Sequence, residues 1–253
     1  MNNKEQEMIK MDQCIKFYNA LAKYYDDIFP APEGKKKFPL KNIDEGGFVL
    51  DIGCSTGETT DYISSQGYRA LGIDLDEEMI RIAKKKYKEN NVLSFKIMDM
   101  QAIAQSFGEE FNGIVCIGNV LPHLGGKNQI REFLKSCYNV LKKDSPLCIQ
   151  TINFDKVKRE NITELPLIEG PKVKFERFYN ISLGSDIVKF TGRITDKESG
   201  EVLENTVELF MLGNDELSEM LKEIGFKIVE RYDDFKRSEY TGNALPLIVE
   251  AIK

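Results

Sequence analysis

Several common chemical signals are missing from this sequence, and each absence narrows the reading. The five cysteines, Cys14, Cys54, Cys116, Cys137 and Cys148, are odd in number and include no C-x-x-C pair, so neither a disulfide framework nor a zinc site is indicated. They read as reduced thiols and point to a cytoplasmic protein. The first thirty residues hold no continuous apolar stretch, which argues against a secretory signal or a membrane span. Basic charge is not in excess. Against 41 acidic residues stand 35 basic ones, for a net of −6, and a general nucleic-acid surface would need clustered Lys and Arg to replace counterions. No internal repeat and no low-complexity tract is visible, and His123 is the single histidine.

What is present is an ordinary globular composition, 42% apolar and 30% charged over 253 residues, enough for one α/β domain or one domain with a sizeable insertion. The chain is organised around one stretch, FVLDIGCSTGETT from Phe48 to Thr60. Phe48 to Asp51 reads as a buried strand ending in a carboxylate. A turn with Gly53 and Gly57 then opens a helix near Glu58 to Gln66. Glycines there permit positive φ and let a ligand approach the main chain closely. The frame is D-x-G-x-S-x-G, not the G-x-G-x-x-G of a dinucleotide-binding turn.

With Cys54 in place, Asp51 to Gly57 resembles the first motif of class I S-adenosylmethionine-dependent methyltransferases, with Ser55 where the family more often has glycine. The run CIGNVLPHL, Cys116 to Leu124, resembles the segment after the fourth strand in glycine and sarcosine N-methyltransferases, where it lines the cofactor and acceptor sites. FYNALAKYYDDIF, Phe17 to Phe29, is similar to the N-terminal lid of small-molecule methyltransferases. The resemblance implies S-adenosylmethionine as cofactor, S-adenosylhomocysteine as product and a small-molecule methyl acceptor. It also implies a cofactor site of Tyr18, Tyr25, Asp51, Gly53, Cys54, Gly57, Asp74, Leu75, Met79, Asp99, Met100, Gln101, Ile117, Gly118 and Asn119. No metal is required. The amine-directed DNA enzymes' [D/N]-P-P-[Y/F] is absent, and Cys116 lacks the preceding proline of the cytosine-C5 enzymes.

Taken in order, residues 8 to 29 place Met8, Met11, Ile15, Tyr18, Leu21, Ala22, Tyr25 and Phe29 at helical steps, either as a core-packing stripe or as a lid whose tyrosines face the cofactor. Pro30 to Leu40 reads as a mobile loop. Tyr68 to Leu75 is a second strand ending in Asp74, at the distance past the glycine turn where an acid meets a ribose diol. Asp76 suits the cap of the next helix, whose far end carries Lys84 to Lys86. A third strand, Val92 to Met98, ends at Asp99, which either faces the adenine, as the resemblance implies, or caps the following helix. Phe111 to Asn119 is a fourth strand, Lys127 to Leu141 a helix, and Pro146 to Phe154 a fifth strand.

The alternation predicts a Rossmann-like parallel sheet with helices on both faces. Phe226 to Phe235 and Ala244 to Ile252 are two further strands. The eight residues between them cannot hold a parallel crossover, so the seventh strand must be reversed. This gives a seven-stranded α/β sheet with a β-rich insertion between strands five and six. The domain reading is an N-terminal helical lid over 1–40, a core over 41–154 and 214–253, and an insertion over 155–213. Strand-like alternation at Val173 to Leu183, Asp186 to Thr195 and Val202 to Leu212 makes the insertion a lid or a dimerisation surface, the latter implying a homodimer. Arg177, Tyr179 and Arg193 are candidates there for gripping an anionic substrate, with Asn119 and His123 nearer the methyl acceptor.

Methyl transfer needs alignment and exclusion of water more than a nucleophilic residue. A hydroxyl acceptor would need a base, and His123 is the one histidine, either a general base or a structural group. An N-methyltransferase is therefore expected over an O-methyltransferase. The competing readings are a non-catalytic S-adenosylmethionine-binding protein and a nicotinamide-dependent oxidoreductase, the second requiring the G-x-G-x-x-G turn and the parallel last strand that are missing.

Overall fold

The computed structural model describes residues 17–19 and 21–253, with the side chain of residue 228 left aside. Met8, Met11, Ile15 and Cys14 lie outside the described residues. The main sheet is built from β1 (Phe48–Ile52), β2 (Arg69–Asp74), β3 (Leu93–Ile97), β4 (Gly113–Cys116), β5 (Pro146–Ile152), β10 (Ile228–Tyr232) and β11 (Pro246–Ile252), in the order β3-β2-β1-β4-β5-β11-β10. β1, β2, β3, β4 and β5 run parallel; β11 is antiparallel to both β5 and β10. The last strand is reversed as expected, but both strands are shorter than expected and the connection runs over 233–245, so its length alone does not dictate the reversal. Central strands covered on both faces need apolar side chains throughout, which explains why β1 is FVLDI and Val49, Leu50 and Ile52 are almost fully buried.

Helices α1 (Glu58–Ser65), α2 (Glu77–Lys86), α3 (Lys127–Val140) and α5 (Asn214–Ile224) cover the sheet. Each turns a regular apolar face inward: Met79, Ile80 and Ala83 from α2, and Ile130, Phe133, Leu134 and Cys137 from α3. Asp76 caps α2 by accepting from Met79 N at 3.0 Å, and Lys84, Lys85 and Lys86 end it, as the helix dipole favours.

A second, four-stranded antiparallel sheet follows, in the order β6 (Glu164–Glu169), β7 (Val173–Ile181), β8 (Ile187–Asp196), β9 (Val202–Phe210). Its apolar face packs on residues 17–28. Phe17, Leu21, Tyr24 and Ile28 share one core with Val173, Phe175, Val188, Ile194 and Val207. Gly192 makes room for this: a Cβ there would come within 2.8 Å of Phe17 and Phe175.

Four further expectations are corrected. The N-terminal helix is not continuous: a turn at 23–24 separates the helical residues 17–19 and 21–22 from the short helix Tyr25–Ile28. Pro30 to Leu40 is not an irregular loop but a helix, Glu33–Lys37, and a 3-10 turn, Phe38–Asn42, because the buried Phe38 and Pro39 anchor it. The fourth strand is shorter than its apolar run, with Phe111 only bridging Leu141. The fifth strand stops at Ile152, since Asn153 accepts from Lys156 N at 3.0 Å and caps a helix, α4 (Phe154–Arg159), that periodicity did not reveal; β6 was likewise missed.

The sheet edge is closed by one ion pair. Arg237 donates to Glu250 through two bonds, 2.7 and 2.9 Å, stacks over Phe38 at 4.1 Å and donates to the Phe38 carbonyl at 3.3 Å. Glu250 is only 4% exposed. Breaking a buried pair from one side strands a charge, which typically costs about 3–5 kcal/mol. Arg237→Met is expected to lower unfolding free energy by about that amount in urea titrations, and adding Glu250→Leu to recover most of it. Recovery would be absent if the pair were solvated.

Candidate functional site

In open α/β sheets ligands bind beyond the carboxyl ends of the strands where the winding direction reverses. Here β1 has β2 on one side and β4 on the other, and a cavity of about 780 Å³, measured out to open solvent, lies at that point. Its floor is the glycine turn. Gly53, Ser55 and Gly57 have φ of +71°, +50° and +85°. At Gly53 a Cβ would meet Val120 Cγ2 at 2.5 Å, and at Gly57 it would meet the Phe95 ring at 2.7 Å. Both positions need glycine for conformation and for room.

Three acids from two successive strand ends line the cavity: Asp74 and Asp76 after β2, and Asp99 after β3. Asp74 Oδ2 accepts from Ser55 N at 2.9 Å and Oδ1 from Asp76 N at 3.0 Å, tying the glycine turn to the end of β2. Burial pushes the Asp74 carboxyl up to about 6, against those main-chain hydrogen bonds. Asp76 is 3% exposed; its Oδ1 caps α2, while Oδ2 is buried with no hydrogen-bond partner. Asp99 Oδ1 accepts from Gln101 N at 2.8 Å, so it does cap the following turn while also facing the cavity.

Apolar side chains complete the wall, among them Ile73, Met79, Met98, Met100, Ile117 and Val120, with Leu75 and Gly118 beside them. The roof comes from the N-terminal segment, through Tyr18 and Tyr25. Burial lifts the Tyr25 phenol to about 12 and pulls His123 down to about 4, so both are neutral at pH 7. The Tyr18 hydroxyl lies 2.9 Å from His123 Nε2, with the rings edge to face at 5.4 Å.

Thus the structure brings together Tyr18, Tyr25, Gly53, Asp74, Leu75, Met79, Asp99, Met100, Ile117, Gly118 and His123 on one cavity wall. Asp51 and Cys54 sit in an adjoining recess, where Thr60 Oγ1 donates to Asp51 at 2.6 Å. Gly57 and Gln101 do not line the cavity. Asn119 is also off it: at φ +65°, its side chain accepts from Thr151 Oγ1 and Ile152 N, both at 3.0 Å, and fastens the loop to β5. The insertion candidates are elsewhere. Arg177 donates to the Pro166 carbonyl at 2.7 Å, Tyr179 is buried against Phe154 and Phe190, and Arg193 pairs with Glu204 at 2.7 Å. Their alternation places them on the second sheet, and none of the three lines the cavity. Ser55, Asp76, Met98 and Val120 were missed as wall residues; Asp76 was legible only as a cap.

A seven-stranded sheet with a reversed last strand, a glycine turn and acids at the next two strand ends defines a Rossmann-like enzyme of the methyltransferase arrangement. Residues 49–144 match the family described as "Methyltransferase domain". The putative methyltransferase YqeM of Bacillus subtilis is 27% identical over 93% of this chain and 97% of its own. The glycine/sarcosine N-methyltransferase of Aphanothece halophytica is 24% identical over 80% and 75%. Among solved structures, an S-adenosylmethionine-dependent methyltransferase from Clostridium acetobutylicum superposes with a TM-score of 0.77 at 15% identity over 93% of this chain and 98% of that one. The CcbJ methyltransferase of Streptomyces caelestis gives 0.78 at 17% over 91% and 95%. The chain is a class I S-adenosylmethionine-dependent methyltransferase.

The residues present fit that cofactor. Among the described wall residues every charged group is an acid, and the orphaned Asp76 Oδ2 is an acceptor waiting for a donor, which suits a nucleoside rich in hydroxyl and amino donors. Donors reaching Asp74 favour its ionised form, so the complex holds fewer protons than the empty protein. Affinity for S-adenosylhomocysteine is expected to be full above pH 7 and to fall several-fold by pH 5, as Asp74 protonates. Calorimetric titration at both values checks this; a flat profile would show that no carboxylate in the site titrates on binding.

Proposed function

We propose that this enzyme methylates a basic nitrogen of a small molecule that enters beside Tyr18 and His123. The contact between those two side chains in the cavity wall carries the reading. An imidazole whose pKa is drawn down to about 4 is a poor acceptor for the proton of an alcohol. An amine brings its own lone pair and needs only to be neutral, a state favoured by an apolar wall and a neighbouring cation. The Tyr18–His123 pair then orients the nitrogen and takes no proton.

In this reading Asp74 accepts from the ribose diol, Asp99 from the adenine amine, and Met100 and Ile117 flank the base. The main chain at Gly53 and Gly118 lies close to the ligand. Bound S-adenosylmethionine supplies a methyl already activated on a sulfonium. The protein's own contribution is alignment and exclusion of water by Tyr18, Tyr25, Val120 and Met98. We read residues 1–40 as the lid, 41–154 with 214–253 as the cofactor-binding core, and 155–213 as a support for the lid. The packing of residues 17–28 on the second sheet favours support over a dimerisation surface.

The D-x-G-x-S-x-G frame of the turn and the antiparallel last strand weaken the nicotinamide alternative. The relative named glycine/sarcosine N-methyltransferase supports nitrogen as acceptor. Relatives named ubiquinone biosynthesis O-methyltransferase align over only 43% of this chain.

The test is release of S-adenosylhomocysteine with a panel of primary and secondary amines beside alcohols and phenols. Turnover is expected with amines, and His123→Gln is expected to lower kcat by roughly ten- to a hundredfold, a positioning loss, without changing the shape of the pH–rate profile. Turnover confined to hydroxyl acceptors would overturn the assignment, as would the loss in His123→Gln of a limb titrating near the imidazole pKa.

A further inference from the structure

Just past the end of β4 the chain makes a turn that few residues adopt. Gly118 and Asn119 follow one another with φ of +104° and +65°, a conformation disfavoured for L-residues that persists only where the surroundings over-determine it. Here β5 does so. Gly118 N donates to Gln150 Oε1 at 2.8 Å, and Asn119 N donates to the Gln150 carbonyl at 3.2 Å. Asn119 Oδ1 in turn accepts from Thr151 Oγ1 and Ile152 N, both at 3.0 Å. The nitrogen of the Gln150 side chain donates to the Thr151 carbonyl at 3.1 Å. Both ends of that amide are thus committed to main chain, and Gln150 itself does not line the cavity.

The direction of these bonds decides what faces a ligand. In a trans peptide the carbonyl points opposite to the N–H that follows it, and none of the described peptide bonds is cis. With the N–H groups of Gly118 and Asn119 turned to β5, the carbonyls of Ile117 and Gly118 turn the other way. β4 lies between β5 and β1, so the other way is toward the cavity, whose wall includes both residues. Among the described residues neither carbonyl accepts a hydrogen bond, and a Cβ at Gly118 would meet nothing within 4 Å. Two unspent acceptors beside open space leave a gap in the main-chain hydrogen bonding that a bound donor closes. The same turn leads directly into Val120, whose carbonyl accepts from His123 N at 3.1 Å, so it also sets where the imidazole starts. We infer that Gln150 is a positioning residue for the methyl acceptor: from β5, without touching the ligand, it holds the Gly118–Asn119 turn so that the Ile117 and Gly118 carbonyls and the His123 ring meet the acceptor together. This rests on the reading that the acceptor enters beside Tyr18 and His123.

The experiment compares the full wild-type chain with Gln150→Met and Gln150→Glu, using whichever member of the panel of amines, alcohols and phenols the wild type methylates fastest. Two quantities are read: kcat, from release of S-adenosylhomocysteine, and the affinity for S-adenosylhomocysteine, by calorimetry. Gln150→Met keeps the length of the side chain and loses the acceptor for Gly118 N. It is expected to lower kcat about tenfold or more, the scale of a small misalignment, while the affinity stays within about twofold. Gln150→Glu, which keeps an oxygen for Gly118 N, should recover part of kcat. Thr151→Val removes only the hydroxyl donor to Asn119; it should lower kcat by less, leave the affinity unchanged, and decide the matter if Gln150→Met does not fold. Unchanged kcat in Gln150→Met and Thr151→Val would overturn the role of Gln150. A fall in affinity as large as the fall in kcat would do the same, since it marks a residue that only holds the fold. Turnover of hydroxyl acceptors alone would overturn the choice of nitrogen, and the contrast among these variants would still decide for or against Gln150. A wild type inactive on the whole panel would overturn both.

Discussion

The carboxylate of Asp74 is the junction on which the site depends. One oxygen holds the main chain of the glycine turn at Ser55, the other holds the main chain entering α2 at Asp76. Two loops from different strands are thereby fixed against each other, and the cavity floor is set by a single side chain. The arrangement opposes stability. Burial raises both Asp51 and Asp74 to about 6, so the folded chain binds more protons than the unfolded one between the ordinary carboxylate range and pH 6. Stability is therefore lost as pH rises through that window, by about 3 kcal/mol per group. Such costs concentrate where function needs a desolvated charge.

The roof is assembled differently, from separate polar ties. Thr56 Oγ1 donates to Asp26 at 2.5 Å, Lys86 bridges to the same carboxylate at 2.7 Å, and Tyr24 donates to Asp196 of β8 at 2.5 Å. Asp196 is held well below the usual carboxylate range, first by that Tyr24 bond and then by main-chain donors. The N-terminal segment is thus fastened to the glycine turn, to α2 and to the second sheet, while Tyr18 and Tyr25 face the cavity between those ties. Partly exposed ties of this kind each contribute little, so the roof is held by many weak contacts and the floor by one strong junction.

How much was legible follows the same division. The reversed last strand was read from a short gap between two apolar runs, although the observed connection extends over 233–245; Asp74 and Asp99 followed from strand ends, where local spacing does decide. The cap role of Asp76 was equally visible, but not that its second oxygen would be left without a partner, since that depends on what packs above it. Arg177, Tyr179 and Arg193 stand away from the cavity: strand periodicity tells which face a residue joins, not what that face covers. Asn119 stood inside the most family-like stretch, yet its positive φ and two accepted hydrogen bonds make it a fastener of backbone. The helix after Asn153 was missed because two turns are too short to show a period.

The second sheet adjoins the roof but contributes no residue to the cavity wall. A substitution on the second sheet can therefore reach the cavity through the N-terminal segment, or through the turn Leu121–His123 that β9 also touches. The strand-end acids and the second sheet thus meet the cavity by separate routes, so a change in one need not disturb the other.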